Sequence, residues 1–135
     1  MSKIIVASGP VIIERNKVLL NQHGETKHWK FPGGKLETFD FSDWNTALEE
    51  TARREVKEEM GIDVRIIKSL KPMIIPRPDH DDEYVILIHF LAERSGEITP
   101  GADIDDWDWF PLDNLPDNLA PNIRPVLEDF AQTNA

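Results

Sequence analysis

Arg54-Glu55-Val56-Lys57-Glu58-Glu59-Met60-Gly61-Ile62 carries three carboxylates at spacings of i, i+3 and i+4. With 3.6 residues per turn, Glu55, Glu58 and Glu59 share one face of a helix. Like charges packed that closely weaken an isolated helix. A divalent cation reverses the penalty, and hard carboxylate oxygens suit Mg²⁺ or Mn²⁺. Taken alone, the same spacing also describes a solvated acidic face. The residues upstream bear on the choice.

Upstream lies Trp29-Lys30-Phe31-Pro32-Gly33-Gly34-Lys35-Leu36-Glu37, a glycine turn with a carboxylate shortly after it. Glycines let a backbone come close to a ligand, and successive N–H groups in such a turn can face phosphate oxygens. A phosphate-friendly loop thus leads into a helix of metal ligands, the layout that cleavage of a diphosphate needs. The chain resembles the Nudix (MutT-like) hydrolase family, whose signature runs G-x5-E-x7-R-E-U-x-E-E-x-G-U with U aliphatic. Arg54, Glu55, Val56, Glu58, Glu59, Gly61 and Ile62 fill every specified position of its second half. Gly34 takes the opening glycine, and Asp40 stands where the first glutamate belongs. Gly34 to Arg54 spans 20 positions where the signature has 14, which places six extra residues within about Phe39–Asn45.

The resemblance implies an α/β chain folded as an α/β/α sandwich, a mixed sheet flanked by helices with the catalytic helix after the Gly-Gly loop. It implies one such domain over residues 1–135 and a Mg²⁺-dependent enzyme, with Mn²⁺ the other candidate, that directs water at a phosphoanhydride. Glu55, Glu58 and Glu59 are then the metal ligands. Arg54 orients a glutamate through a bidentate salt bridge, a geometry guanidinium favours. The general base is Glu58 or Glu59, or a carboxylate of a later loop. Among Glu97, Asp103, Asp105 and Asp106, the distance from Trp109 favours Asp103. Gly33, Gly34, Lys35, Glu37 and Asn122 are the substrate-side candidates.

Asn122 resembles an asparagine that reads purine edges in the triphosphate-cleaving branch, and it could equally cap a helix. Pro76 and Pro78, 15 and 17 positions past Gly61, resemble a proline of the ADP-ribose-cleaving branch. A nucleoside triphosphate is therefore the first expected substrate. ADP-ribose or a nucleotide sugar is the alternative, and a non-catalytic nucleotide sensor a third reading.

Composition narrows the partners. A net charge of −10 over 135 residues argues against a nucleic-acid polymer, whose phosphates bind basic surfaces. The absence of cysteine rules out disulfides and thiolate chemistry. No apolar run reaches the length of a membrane span, and the N-terminus lacks a signal-peptide core, so a cytoplasmic monomer or homodimer acting on a small nucleotide is expected.

Along the chain, Ile4–Ile13 reads as a strand bent near Gly9-Pro10, and Lys17–Gln22 as its return. The lone His28 in the following loop reads more readily as solvated than as a substrate contact. Trp29 and Phe31 read as loop anchors more readily than as base-stacking platforms. A helix begins near Asp43–Thr46, with Thr46 and Glu49 in the form of a capping box. Leu48, Ala52, Val56 and Met60 make its apolar stripe, and Gly61 ends it. Asp63–Leu70 alternates as a strand, and Asp79–Glu83 is an acidic hairpin tip. Tyr84–Ala92 should be a central strand, Glu93–Asp108 a polar loop, and Ile123–Ala131 a closing helix.

Overall fold

The computed structural model describes residues 2–24, 27–77 and 79–133. In chain order they form β1 (Lys3–Glu14), β2 (Lys17–His23), β3 (Gly34–Lys35), α1 (Ala47–Met60), β4 (Asp63–Ser69), β5 (Met73–Pro76), β6 (Glu83–Ser95), β7 (Ile104–Pro111) and α2 (Ile123–Thr133). A short 3-10 turn at Thr38–Ser42 precedes α1. The main sheet runs β4-β6-β1-β2-β7, with β3 added to β1 and β5 to β6. β1 and β6 pair in parallel and the other pairs are antiparallel, so the sheet is mixed.

Two-residue periodicity divides the apolar side chains between the faces. Val11, Val18, Leu20 and Leu91 pack with Ile123, Val126 and Leu127 of α2. Their neighbours Ile12, Leu19 and Ala92 pack instead with Val56 and Met60 of α1. That is the expected α/β/α sandwich. Ile12→Ala and Leu20→Ala, one for each face, should each lower stability by about 2–5 kcal/mol in urea unfolding. A loss near zero on either face would deny that layer its part in the core.

The sheet has a seam. On one edge of β1, β3 pairs with Ala7 and Ser8, and β2 takes over only at Ile13. On the far edge of β6, β5 pairs as far as Leu87 and β4 begins at Phe90. Both gaps fall beside the Gly9–His89 register pair. The bend expected at Gly9-Pro10 is thus a change of partner, and Pro10 costs no ladder bond there because neither β3 nor β2 pairs with it.

Several expectations need correction. Thr46 makes no side-chain cap. Asn45 N–H instead bonds Asp43 Oδ1 at 2.9 Å, so an Asx turn feeds the helix. Ala47, not Leu48, is buried beside Ala52, Val56 and Met60. β5 was not legible between Pro72 and Pro76. The supposed loop before Trp109 contains β7, whose aspartates are tolerated because β7 is an edge strand with outward positions. Gly61 closes α1 as expected, in the left-handed region at φ 70°. Asp79–Glu83 does form the tip between β5 and β6, with Asp79 and Asp82 at positive φ. Pro78 lies outside the described residues. Among the described residues no helix is long and apolar enough to cross a membrane.

Candidate functional site

The glycine loop fits against both β1 and α1. A Cβ on Gly33 would stand 2.7 Å from Ser8 O, and one on Gly34 would stand 2.4 Å from the Glu55 carboxyl group. At Gly33 the neighbour is backbone and φ is +152°, so only glycine fits there, whereas a side chain at Gly34 would have to displace the Glu55 carboxyl group. Gly33 N–H donates to Glu59 Oε1 at 3.1 Å. The expectation that this amide faces a phosphate is therefore corrected: it anchors a carboxylate of the helix.

Asn21 supplies a second anchor, donating from Nδ2 to the same Glu59 oxygen at 3.2 Å. Asn21 is fully buried and shares the α1-facing parity of Leu19. A polar residue at an inward position was the signal by which it could have been found. Glu59 Oε2 lies 3.8 Å from His23 Nε2. Burial pushes the Glu59 carboxyl group up to about 7, outweighing the two donors that stabilise its charge. Burial also raises Glu55, against the pull of Arg54.

Arg54 forms its bidentate pair with Asp40 and not with a glutamate: Nε reaches Oδ1 and Nη2 reaches Oδ2, both at 3.1 Å. The third nitrogen, Nη1, bonds Glu55 at 2.9 Å and sits 3.5 Å from Glu58. Asp40 is 5% exposed and also accepts from Glu37 N–H and the Thr51 hydroxyl. Arg54 beside it holds its carboxyl group below the usual range, and Asp40 in turn raises Arg54. Phe39 covers the guanidinium, whose carbon is 4.8 Å from the ring centroid. So the residue in the signature's first glutamate position clasps the signature's arginine, with an aspartate in place of the longer acid.

Two cavities share His23, and the smaller of them lies against α1. The smaller, about 170 Å³, is lined by Glu55, Glu58, Glu59, Asp103 and His23 among others. It brings the three glutamates and Asp103 together. The larger, about 620 Å³, contains Phe31, Gly33, Gly34, His89 and Asn122, and all four histidines of the chain line it. His23 belongs to both, which makes them neighbours. That volume suits a small organic ligand. Lys30 and Arg77 add positive charge to the larger cavity within an acidic chain. His28, half-buried, lines it too. Trp29 packs edge-on to Phe110 at 4.7 Å, as an anchor should, whereas Phe31 both joins the core and lines the cavity.

Lys35 and Glu37 are exposed and line neither cavity. Lys35 contributes its carbonyl, which accepts from Arg54 Nη2 at 3.0 Å. Asn122 is buried immediately before α2, and its Nδ2 lies 2.9 Å from His89 Nε2. Pro125, third in that helix, has no N–H to give a capping side chain, which weakens the cap reading.

The donor set suits a hard divalent cation. Glu55, Glu58 and Glu59 offer oxygens to one small cavity, and the buried Glu59 carries a charge that a cation would offset. Among the described residues no three such groups already converge on a single metal position. Glu55 and Glu58 are instead turned toward Arg54.

A mixed sheet between two helices, with a triplet of helix glutamates facing a cleft, defines a hydrolase-type sandwich, and comparison with known proteins makes it specific. The family model for the NUDIX domain matches residues 4–130. An ADP-ribose pyrophosphatase of Methanocaldococcus jannaschii is 32% identical over 93% of this chain and 72% of its own length. An 8-oxo-dGTP diphosphatase of Proteus vulgaris is 33% identical over 72% of this chain and 83% of its own. The crystal structure of a MutT NUDIX hydrolase from Burkholderia pseudomallei superposes with a TM-score of 0.80 at 27% identity, covering 95% of this chain and 98% of that one. The chain belongs to the Nudix hydrolase family. It is an enzyme of the pyrophosphohydrolase kind, in a family that uses divalent metal ions.

Proposed function

We propose that the protein is a Mg²⁺-dependent nucleoside triphosphate pyrophosphohydrolase. The observation that carries this reading is the shared wall at His23 between the two cavities. One holds the three glutamates and Asp103, and the other holds Phe31 and Asn122. A nucleotide spanning that wall places its base in the larger cavity and its phosphates over α1. Glu55, Glu58 and Glu59 would hold the metal, which supplies charge neutralisation at the diphosphate and a more acidic water. Gly33 and Asn21 fix the Glu59 carboxylate, Arg54 fixes Glu55, and the exposed Glu58 and Asp103 stand where a proton can be taken from the attacking water. Lys30 and Arg77 lend the cleft positive charge toward the phosphates.

The M. jannaschii relative favours a second reading, ADP-ribose cleavage in the same cleft. Product analysis separates them. With Mg²⁺, nucleoside triphosphates should yield pyrophosphate and the monophosphate, while ADP-ribose cleavage would yield AMP and a sugar phosphate. No metal-dependent turnover of nucleoside triphosphates, ADP-ribose or dinucleoside polyphosphates, with Mg²⁺ and Mn²⁺ both tried, would overturn the enzyme as proposed. If Asn122 contacts the base, Asn122→Ala should raise KM for purine substrates about tenfold with kcat little changed. Equal loss across all bases would assign Asn122 to the fold.

A further inference from the structure

His89 and Asn122 stand 33 positions apart in the chain and 2.9 Å apart in the fold. Which atoms face each other follows from the far side of the histidine. His89 Nδ1 lies 2.8 Å from the carbonyl oxygen of Lys71. A carbonyl only accepts, so Nδ1 carries the hydrogen. In a neutral imidazole Nε2 is then an acceptor. The ring is 3% exposed, and burial lowers its affinity for a proton. Asn122 must therefore turn its NH₂ toward His89. Neither an exchange of amide atoms nor the other tautomer satisfies both neighbours.

The ring is held by Lys71, Asn122 and Phe31. Lys71 N–H donates to Asp129 Oδ2 of α2 at 2.8 Å, which tethers to α2 the residue whose carbonyl takes the His89 hydrogen. Phe31 meets the imidazole edge-on, with centroids 5.5 Å apart. The seam of the sheet explains the access: β4 ends at Ser69 and β5 starts at Met73, Leu70 N–H still donates to His89 O at 2.9 Å, and the connection between the two strands brings Lys71 to the ring. At the other end of the amide, Asn122 Oδ1 has no partner among the described residues and is not sealed from solvent. It opens on the larger cavity, which Asn122 lines.

We propose that His89 is a positioning residue: it fixes the Asn122 amide with its oxygen toward the cavity, so the site selects a base whose edge presents an N–H donor. The inference rests on the nucleotide reading above and deepens it. Adenine, cytosine and guanine carry exocyclic amines that can donate to Oδ1. A base with that amine fully methylated offers nothing there and leaves a buried acceptor unmet, which is what makes such a site discriminate.

Two measurements test it. In ¹⁵N-labelled protein at neutral pH, the His89 imidazole shifts should show the Nδ1–H tautomer, with a scalar coupling from Asn122 Nδ2 to His89 Nε2. An Nε2–H tautomer would reverse the amide and overturn the proposal, whatever the enzyme cleaves. Calorimetric binding of AMP and N6,N6-dimethyl-AMP should then differ by about tenfold or more in favour of AMP. His89→Phe should erase that preference and raise KM with kcat within a few-fold, and His89→Gln, which keeps an acceptor for Asn122, should restore it. Equal binding of the two nucleotides, or an unchanged preference in His89→Phe, defeats the positioning role. Binding of neither defeats the nucleotide reading and the selectivity with it, while the tautomer result still reports the relay itself.

Discussion

Glu59→Gln is expected to lower kcat/KM by about 10²–10⁴-fold, the range typical for loss of a group that acts in the transition state. The substitution is nearly isosteric. Oε1 can still accept from Gly33 N–H and Asn21 Nδ2, so the loop and the helix stay in place. What goes is one negative charge that is largely sequestered from water and from which burial already withholds stabilisation. The metal-free variant should therefore be at least as stable as the parent at pH 8, and Mn²⁺ affinity followed by paramagnetic resonance should fall. Activity near the parent's would remove Glu59 from the metal site. A fall in stability with metal affinity intact would make it a packing residue.

The second large effect concerns the clasp. Arg54→Met leaves the Asp40 carboxylate, with its side chain 4% exposed, without its cationic partner. Removing one member of a buried pair costs about 3 kcal/mol or more, because the other charge stays behind unmatched. The effect has a definite pH dependence. In the parent, Arg54 holds Asp40 below its ordinary range, so the folded chain binds fewer protons there than the unfolded one. That stability is present above about pH 4 and lost as pH falls through the lower folded value. In the variant, only the Glu37 N–H and Thr51 hydroxyl donors still oppose burial, so Asp40 holds its proton more readily than in the parent and loses less stability on acidification. Urea midpoints of parent and variant should differ widely at pH 7 and converge toward pH 3. A constant gap would mean the guanidinium acts through packing over Phe39.

What could be read from the sequence was what local geometry dictates. The glutamate spacing, the Ala52-Val56-Met60 stripe and the Gly61 stop are properties of one helix, and all stand where expected. The alternation of Val11 with Ile12, and of Leu19 with Leu20, already contained the two-sided sheet. Contacts across space were hidden. Asp40 finds Arg54 only because the extra residues fold outward, and no spacing rule reaches over an insertion. β7 looked like a loop because Asp105, Asp106 and Asp108 disfavour strands everywhere except at an edge. The partner of the Gly33 amide is not legible either, because backbone donors near a glycine pair carry no mark of which acid they will serve. His89 is hidden for the opposite reason, a single polar residue inside the apolar run Tyr84–Ala92, and Asn21 because it opens the polar stretch Asn21-Gln22-His23 and looks like the start of the loop.

The clasp also bears on how this family tolerates variation in length. Asp40 ties one end of the intervening segment to Arg54 and Thr51, and the first turn of α1 ties the other. Between those knots the chain runs outside, with Trp44 88% exposed. For a ring closed at fixed points, free energy depends only logarithmically on contour, about 0.6 kcal/mol for each doubling. Six residues more than the signature allows therefore lengthen a path without moving its ends. Spacing in such a motif is a record of where the knots are tied, and the string between them is free to drift.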